Sequence, residues 1–318
     1  MAEASYAVEI EAPDITPYRA GNTGIDYVTT FESGRPGPHV MIAAVVHGNE
    51  LCGAITLDFL FKNGVRPRCG TLTLGFMNVA AFDSFDAGRP ETSRLVDEDF
   101  NRVWDAEVLG GPRDSVELRR AREVRPVIDG VDYLLDIHSM QNTNVPLMMC
   151  GPLAKGRRFA REIGFPAHVI SDSGHAAGRR MRDYGPFADE ADPRNALLVE
   201  CGQHWEKSSV EVARETAVRF LAHFDMLEAD FVSRFLPAEP PPPQAVVLVT
   251  DPITISADQF RFTDEFVGME VIEKAGTVIG WDGDEEVRTP HDRCVLIMPS
   301  RRLTKGITAV RLGRFVSD

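Results

Sequence analysis

Hydrophobic residues in the first two thirds of the chain come in short unbroken runs, not in alternation. Five stand out: HVMIAAVV at 39–46, TLTLGFM at 71–77, DYLLDI at 132–137, VPLMMC at 145–150 and ALLVE at 196–200. Runs of this length suit strands of a sheet covered on both faces. Between them lie helical stretches: Leu51–Lys62, Ser115–Ile128, Ala154–Ile163 and one long helix from about Ser208 to Phe235. Strands alternating with helices predict a largely parallel sheet flanked by helices. The segment Ile25–Phe31 does alternate and precedes Val40 across a Gly/Pro-rich turn, which predicts an antiparallel hairpin at the sheet start. The fold class expected is therefore α/β with a mixed, largely parallel sheet.

After the last helical stretch the pattern changes. Residues 236–244 read LPAEPPPPQ, and four consecutive prolines continue neither a helix nor a central strand but stiffen into an extended spacer. Downstream, Ala245–Thr250, Met269–Glu273, Thr277–Ile279 and Cys294–Met298 are β-rich, with Gly and Pro between them. The organisation expected is a catalytic α/β domain over 1–236, a Pro-rich linker at 237–244 and a small all-β domain over 245–318. Within the latter, Phe266–Gly280 reads as a hairpin turning at Lys274-Ala275-Gly276. It is similar to the barrel-sandwich hairpins of lipoyl and biotinyl carriers, but no lysine stands in a carrier context. A lid over a site in the larger domain is the expected use.

Composition narrows the class of function. Of 318 residues 43% are hydrophobic and 26% charged, enough for a packed core. Lys and Arg number 34 against 48 Asp and Glu, a net charge of −14. Such a field repels phosphate backbones and anionic membranes, so neither nucleic acid nor membrane is expected as a partner. The longest apolar run, Val40–Val46, is far short of the ~20 residues that cross a bilayer. The first residues show no leader pattern, and five scattered cysteines form no CxxC pair. A cytoplasmic protein acting on small molecules is expected, with self-association left open.

Three of the runs end in residues suited to chemistry. The run at 40–46 leads into His47-Gly48-Asn49-Glu50, the run at 132–137 into His138, and the run at 196–199 into Glu200. Open α/β sheets bind ligands beyond the carboxyl ends of their strands, so parallel strands would bring these four together. His47 and Glu50 stand three apart, where one turn can point both at an ion. Two His and a carboxylate form a catalytic zinc set that leaves a position for water. Glu200 would then serve that water as general base, and Asp136 could accept the second imidazole N–H of His138. Each has a plainer reading in isolation: a satisfied histidine, a first-turn acid, a solvated strand end.

A long aperiodic stretch, 83–104, contains Arg94 and the motif Asp99-Phe100-Asn101-Arg102. Ordered loops of this length usually carry function. An arginine fork matches a carboxylate, and an asparagine can orient it; either arginine alone reads equally as solvated charge. Taken in order, HGNE (47–50), DFNR (99–102), DIH (136–138) and LLVE (197–200) resemble the succinylglutamate desuccinylase/aspartoacylase family, a branch of the zinc carboxypeptidase-like fold. The resemblance implies one Zn2+ per chain on His47, Glu50 and His138, with Glu200 as catalytic acid/base. It also implies that Arg94, Asn101 and Arg102 engage the substrate and its carboxylate. Where relatives place a further arginine, about ten residues before the catalytic Glu, this chain has Glu190. An amine-bearing substrate would suit an acid there. Arg179, Arg180, Arg182 and Tyr184 lie nearby.

The activity expected is zinc-dependent removal of an acyl group from an N-acyl amino acid or a similar small carboxylate. A metallocarboxypeptidase on the same ion and a catalytically inactive metal-binding protein are the alternatives.

Overall fold

The computed structural model describes residues 6–174 and 177–316. In the first part of the chain, strands β1 (Val28–Glu32), β2 (His39–Ala44), β3 (Thr71–Phe76), β4 (Tyr133–Met140), β5 (Leu147–Met149), β6 (His168–Ser171) and β7 (Asn195–Gln203) alternate with helices. The helices are α1 (Leu51–Lys62), α2 (Val79–Phe82), α3 (Ala106–Gly110), α4 (Val116–Ile128), α5 (Ala154–Ile163), α6 (Lys207–His223) and α7 (Ala229–Phe235). The remainder is β8 (Ala245–Thr254), β9 (Phe260–Phe262), β10 (Val271–Ile272), β11 (Val278–Asp282), β12 (Glu285–Arg288), β13 (Cys294–Ile297) and β14 (Thr308–Val316).

The unbroken apolar runs are strands buried on both sides. On β2, Val40, Ile42 and Ala44 join the core beneath α1, α5 and α6, while Met41 and Ala43 join the one beneath α4. A period of two along the strand therefore feeds two cores at once. The helices start and stop as their sequences dictate: Ser115 caps α4 by accepting from the Leu118 amide at 2.9 Å, and Gly164 ends α5 in the left-handed region.

The strands form one eleven-stranded sheet in the order β1-β3-β2-β4-β7-β5-β6-β8-β14-β13-β10, beside a three-stranded sheet β12-β11-β9. From β3 through β2 and β4 to β7 the pairing is parallel, so the carboxyl ends of β2, β4 and β7 share one edge. Strand β5 runs antiparallel to β7, which makes the sheet mixed. The proline stretch carries neither helix nor strand, and β8 after it pairs parallel with β6. The C-terminal β-strands thus continue the main sheet, and a further core of Ile279, Cys294, Leu296, Val310 and Leu312 packs among them.

Three local expectations change. First, β1 does not form a hairpin with β2; it pairs antiparallel with β3. Both edges of β2 are taken by parallel neighbours, so the edge position beside β3 is what remains. Second, the long helix over 208–235 is two. Phe224–Glu228 breaks it, with Asp225 at φ 56°, a conformation that a short polar side chain tolerates better than most. The Met226 carbonyl there accepts from the Arg68 amide at 3.0 Å, tying the break to the chain before β3. Third, the Lys274-Ala275-Gly276 turn exists, with Gly276 at φ 76°, but its flanks do not pair. Strand β10 pairs with β13 in the large sheet and β11 with β9 and β12 in the small one.

Candidate metal centre

Strand β2 ends in a distorted turn. Val45, buried and β-branched, sits at φ 61°, a region costly for such a side chain and worth of order 1–3 kcal/mol of strain. It is held there by backbone bonds from Met77 N to Ala44 O (2.9 Å) and from Asn78 N to Val45 O (2.8 Å). The turn delivers His47 to the sheet edge. Gly48 follows with no room to spare: a Cβ there would lie 2.3 Å from the Ala81 carbonyl carbon and 2.4 Å from Ser93 O. Glu50 occupies the N-cap position of α1, so its carboxylate turns back towards His47.

The three predicted ligands come together and are buried. Their ligand atoms all lie within 4.8 Å of one another. Glu50 bridges the two imidazoles: His47 Nδ1 donates to Oε1 at 2.7 Å, and His138 Nδ1 stands 2.9 Å from Oε2. The outer nitrogen of each ring meets an aspartate. His47 Nε2 lies 3.0 Å from Asp99 Oδ1, and His138 Nε2 lies 2.9 Å from Asp136 Oδ2. Metal-binding histidines are held in this way, with a carboxylate on the nitrogen that points away from the ion. The sequence already points to Asp136 for this part, two residues before His138 on the same strand. It does not point to Asp99, although that residue opens the DFNR motif, because nothing in the sequence says its side chain crosses to His47.

Electrostatics agree with a cation-binding group. Burial alone would raise the Glu50 carboxyl, but the two histidines outweigh it and hold Glu50 well below the ordinary range. Burial opposes the charge on His138, yet Asp136 and Glu50 raise its proton affinity well above that of a free imidazole. Asp99 is likewise lowered despite burial, chiefly by His47. A cation between the imidazoles and Glu50 would take over the charge that protons supply here. The donor set, two imidazoles and one carboxylate each braced from outside, fits a divalent ion of the zinc type.

Glu200 stands beside this group, in register with His138 across β4 and β7. Its Oε2 is shut off from solvent with no hydrogen-bond partner, and burial pushes the carboxyl up to about 8. Arg94 reaches in from its loop: Nη2 is 2.9 Å from His47 Nε2 and Nη1 is 3.5 Å from Glu50 Oε1. Asn101 is buried, with Nδ2 3.5 Å from His138 Nε2 and Oδ1 accepting from the Met181 amide at 2.8 Å. Among the described residues the Arg102 guanidinium donates to its own neighbour, Asn101 O, at 2.7 Å, and burial lowers its proton affinity.

Other expectations fare differently. Glu190 is exposed, on a loop that Lys155 ties to the Asp192 and Arg194 carbonyls (2.9 and 2.7 Å), beside the start of β7. Glu200 lies towards the other end of that strand, so no acid enters the site from 190. Tyr184 turns away to Asp129 and Arg125. Trp205 is core, its Nε1 donating to Asn49 O. His204 is buried next to Ser139 at 2.8 Å, and burial pulls its pKa down to about 3, leaving a neutral ring close to the histidine pair.

The family model for the succinylglutamate desuccinylase/aspartoacylase catalytic domain matches residues 36–224, well over half the chain. The chain belongs to this family. Solved structures share its fold over most of the chain. The succinylglutamate desuccinylase of Vibrio cholerae superposes with a TM-score of 0.69 over 92% of this chain and 86% of that one, at 17% identity. A succinylglutamate desuccinylase/aspartoacylase from Rhodobacter sphaeroides gives 0.66, covering 92% and 89% at 17% identity. The product-bound ectoine utilization protein EutE (DoeB) of Ruegeria pomeroyi gives 0.63, covering 92% of both chains at 14% identity. Among curated sequences, the N-acyl-aromatic-L-amino acid amidohydrolase (carboxylate-forming) of Rattus norvegicus is 26% identical over 116 residues. That match spans about a third of either protein, 34% of this chain and 35% of the relative. Among the described residues no helix is long and apolar enough to cross a membrane.

Proposed function

We propose that this member of the family is a zinc-dependent amidohydrolase that removes the acyl group from an N-acyl amino acid or a similar small carboxylate. The observation that carries the reading is the unpartnered, proton-avid Glu200 carboxyl in register with His138. A site for metal binding alone has no use for an acid with an unpartnered, enclosed oxygen in this place. Zinc held by His47, Glu50 and His138 would supply Lewis acidity towards the amide carbonyl and the attacking water. Glu200 takes the proton that this water loses as its oxygen bonds to the carbonyl carbon. It then passes the proton to the amide nitrogen, so that the C–N bond breaks to a carboxylate and an amine. Asn101 and Arg102 bind the α-carboxylate, and Arg94 holds the carbonyl side of the substrate against the histidines. Asp99 and Asp136 keep the two rings turned inward.

The reading is tested by assaying the zinc-loaded protein on N-acetyl, N-succinyl and N-formyl amino acids alongside C-terminally free dipeptides. Turnover of acyl amino acids with about one zinc per chain is expected. Turnover of the dipeptides alone would make the protein a carboxypeptidase, and no turnover with zinc bound would make it a binding protein.

A further inference from the structure

Outside the metal centre, on the first turn of α4, stands a buried carboxylate to which the chemistry above gives no task. Glu117 is fully enclosed. Its Oε1 accepts from the Val96 amide at 2.6 Å and from Asn78 Nδ2 at 3.1 Å. Its Oε2 accepts from the Asp97 and Glu98 amides at 3.0 and 3.2 Å. None of these four donors is a site residue.

The donors fall into two segments, and the two segments meet at His47. Asn78 follows β3, and its amide donates to Val45 O at 2.8 Å, one of the bonds that keep the strained turn before His47 in place. Val96, Asp97 and Glu98 form the middle of the loop that carries Arg94 on one side and Asp99 on the other. From that loop Asp99 Oδ1 lies 3.0 Å from His47 Nε2, and Arg94 Nη2 lies 2.9 Å from the same nitrogen. The Gly48 amide donates to Arg94 O at 3.1 Å, so turn and loop also touch beside the ring. In return the loop grips α4. Asp97 Oδ2 accepts from the Val116 amide at 2.8 Å, and Glu98 Oε1 accepts from Ser115 Oγ at 2.6 Å.

A buried carboxylate is costly unless its acceptor sites are used, and it has about four of them. Four donors converge on Glu117, three of them successive backbone amides, an arrangement suited to an anion. The positive end of the α4 dipole adds to this. That dipole alone asks for an acid in the first turn; it does not ask for three loop amides and Asn78 on one carboxylate. Charge and reach are both needed, because an amide in place of the carboxylate would turn an NH2 group towards backbone N–H groups.

We propose that Glu117 is a positioning residue for the metal centre: its carboxylate fixes, in one arrangement, the turn that delivers His47 and the loop that sets Asp99 against the outer nitrogen of that ring. This rests on the metal-binding part of the reading above.

The test is a double-mutant cycle on zinc affinity, read by competition with a chelator on the full-length protein. Glu117→Gln should bind zinc roughly tenfold more weakly than wild type, because the His47 turn and Asp99 lose their common anchor. In an Asp99→Asn background the same change should cost less than about threefold, since the partner through which Glu117 acts is already gone. Undiminished zinc affinity in folded Glu117→Gln overturns the proposal. So does an equal loss in both backgrounds, which would make Glu117 a general stabiliser of the fold. Should Glu117→Gln fail to fold, the cycle is run with Glu117→Asp, which keeps the charge and shortens its reach, under the same criteria. Zinc bound without turnover of N-acyl amino acids counts against the amidohydrolase reading and leaves the cycle untouched. A wild type that binds no zinc counts against the metal itself. Glu117 is then judged on the metal-free protein, where the nitrogen NMR signals of the His47 ring should move in Glu117→Gln; an unmoved ring overturns the proposal.

Discussion

Glu200 is the residue whose chemistry and energetics can be read on the same experiment. Its carboxyl is pushed from an ordinary 4.5 up to about 8 by burial, so the metal-free folded chain binds a proton that the unfolded chain has released. Between those values folding takes up a proton, and stability must fall as pH rises. Chemical denaturation of metal-free protein from pH 4.5 to 8 should show the wild type losing stability relative to Glu200→Gln, with the two curves parallel below and above that window. In the zinc-loaded enzyme the same variant should retain the metal and lose roughly 10²–10⁴-fold in kcat, the usual contribution of a general acid–base group. The aspartates behind the histidines act more gently. Replacing Asp99 or Asp136 by Asn should weaken zinc binding by roughly 10–100-fold, read by competition with a chelator, because the rings lose the acceptors that orient them. Undiminished affinity in both would show that the rings are held by packing alone.

At the scale of single elements, the turn after β2 is the tightest joint in the site. A methyl at Gly48 would press on the backbone of α2 and of the loop carrying Arg94, neither of which is a flexible side-chain end. Gly48→Ala should cost at least about 1–3 kcal/mol in thermal unfolding, and more if the loop is displaced. Zinc affinity should fall with it, since the loop also carries Asp99. Much at this scale was legible in the sequence. The apolar runs gave β2, β3, β4 and β7, and their polar ends gave His47, Glu50, His138 and Glu200, because a parallel sheet places strand ends side by side whatever the loops do. Strand β6 was not legible: HVIS is four residues long and leaves no period to count. The split between α6 and α7 escaped because it rests on Asp225 adopting φ 56° to meet the chain before β3. Asp99 escaped for the same kind of reason, since it meets His47 across a distance in the chain that only the fold closes.

For the molecule as a whole, the pairing of β6 with β8 joins the two composition classes on either side of the prolines. Val246 and Val247 of β8 are buried, the latter in a core shared with Leu147, Ile170 and Leu198 of the first part and Val295 and Ile297 of the second. Removing everything after residue 236 would bare the hydrogen-bonding edge of β6 and half of that core. A chain cut there should therefore form soluble aggregates or inclusion bodies when expressed, seen by size-exclusion chromatography. A monodisperse 1–236 fragment would show that the α/β part is self-sufficient. The same pairing sets an order of events during synthesis. His47, Glu50, His138 and Glu200 have left the ribosome before β8 exists, and β6 waits for its neighbour across roughly seventy further residues. At about 5–20 residues per second that wait is of the order of several seconds. In that interval the nascent chain presents an open strand edge to its surroundings. The residues of the candidate site are thus translated before the strand that covers the open edge of β6.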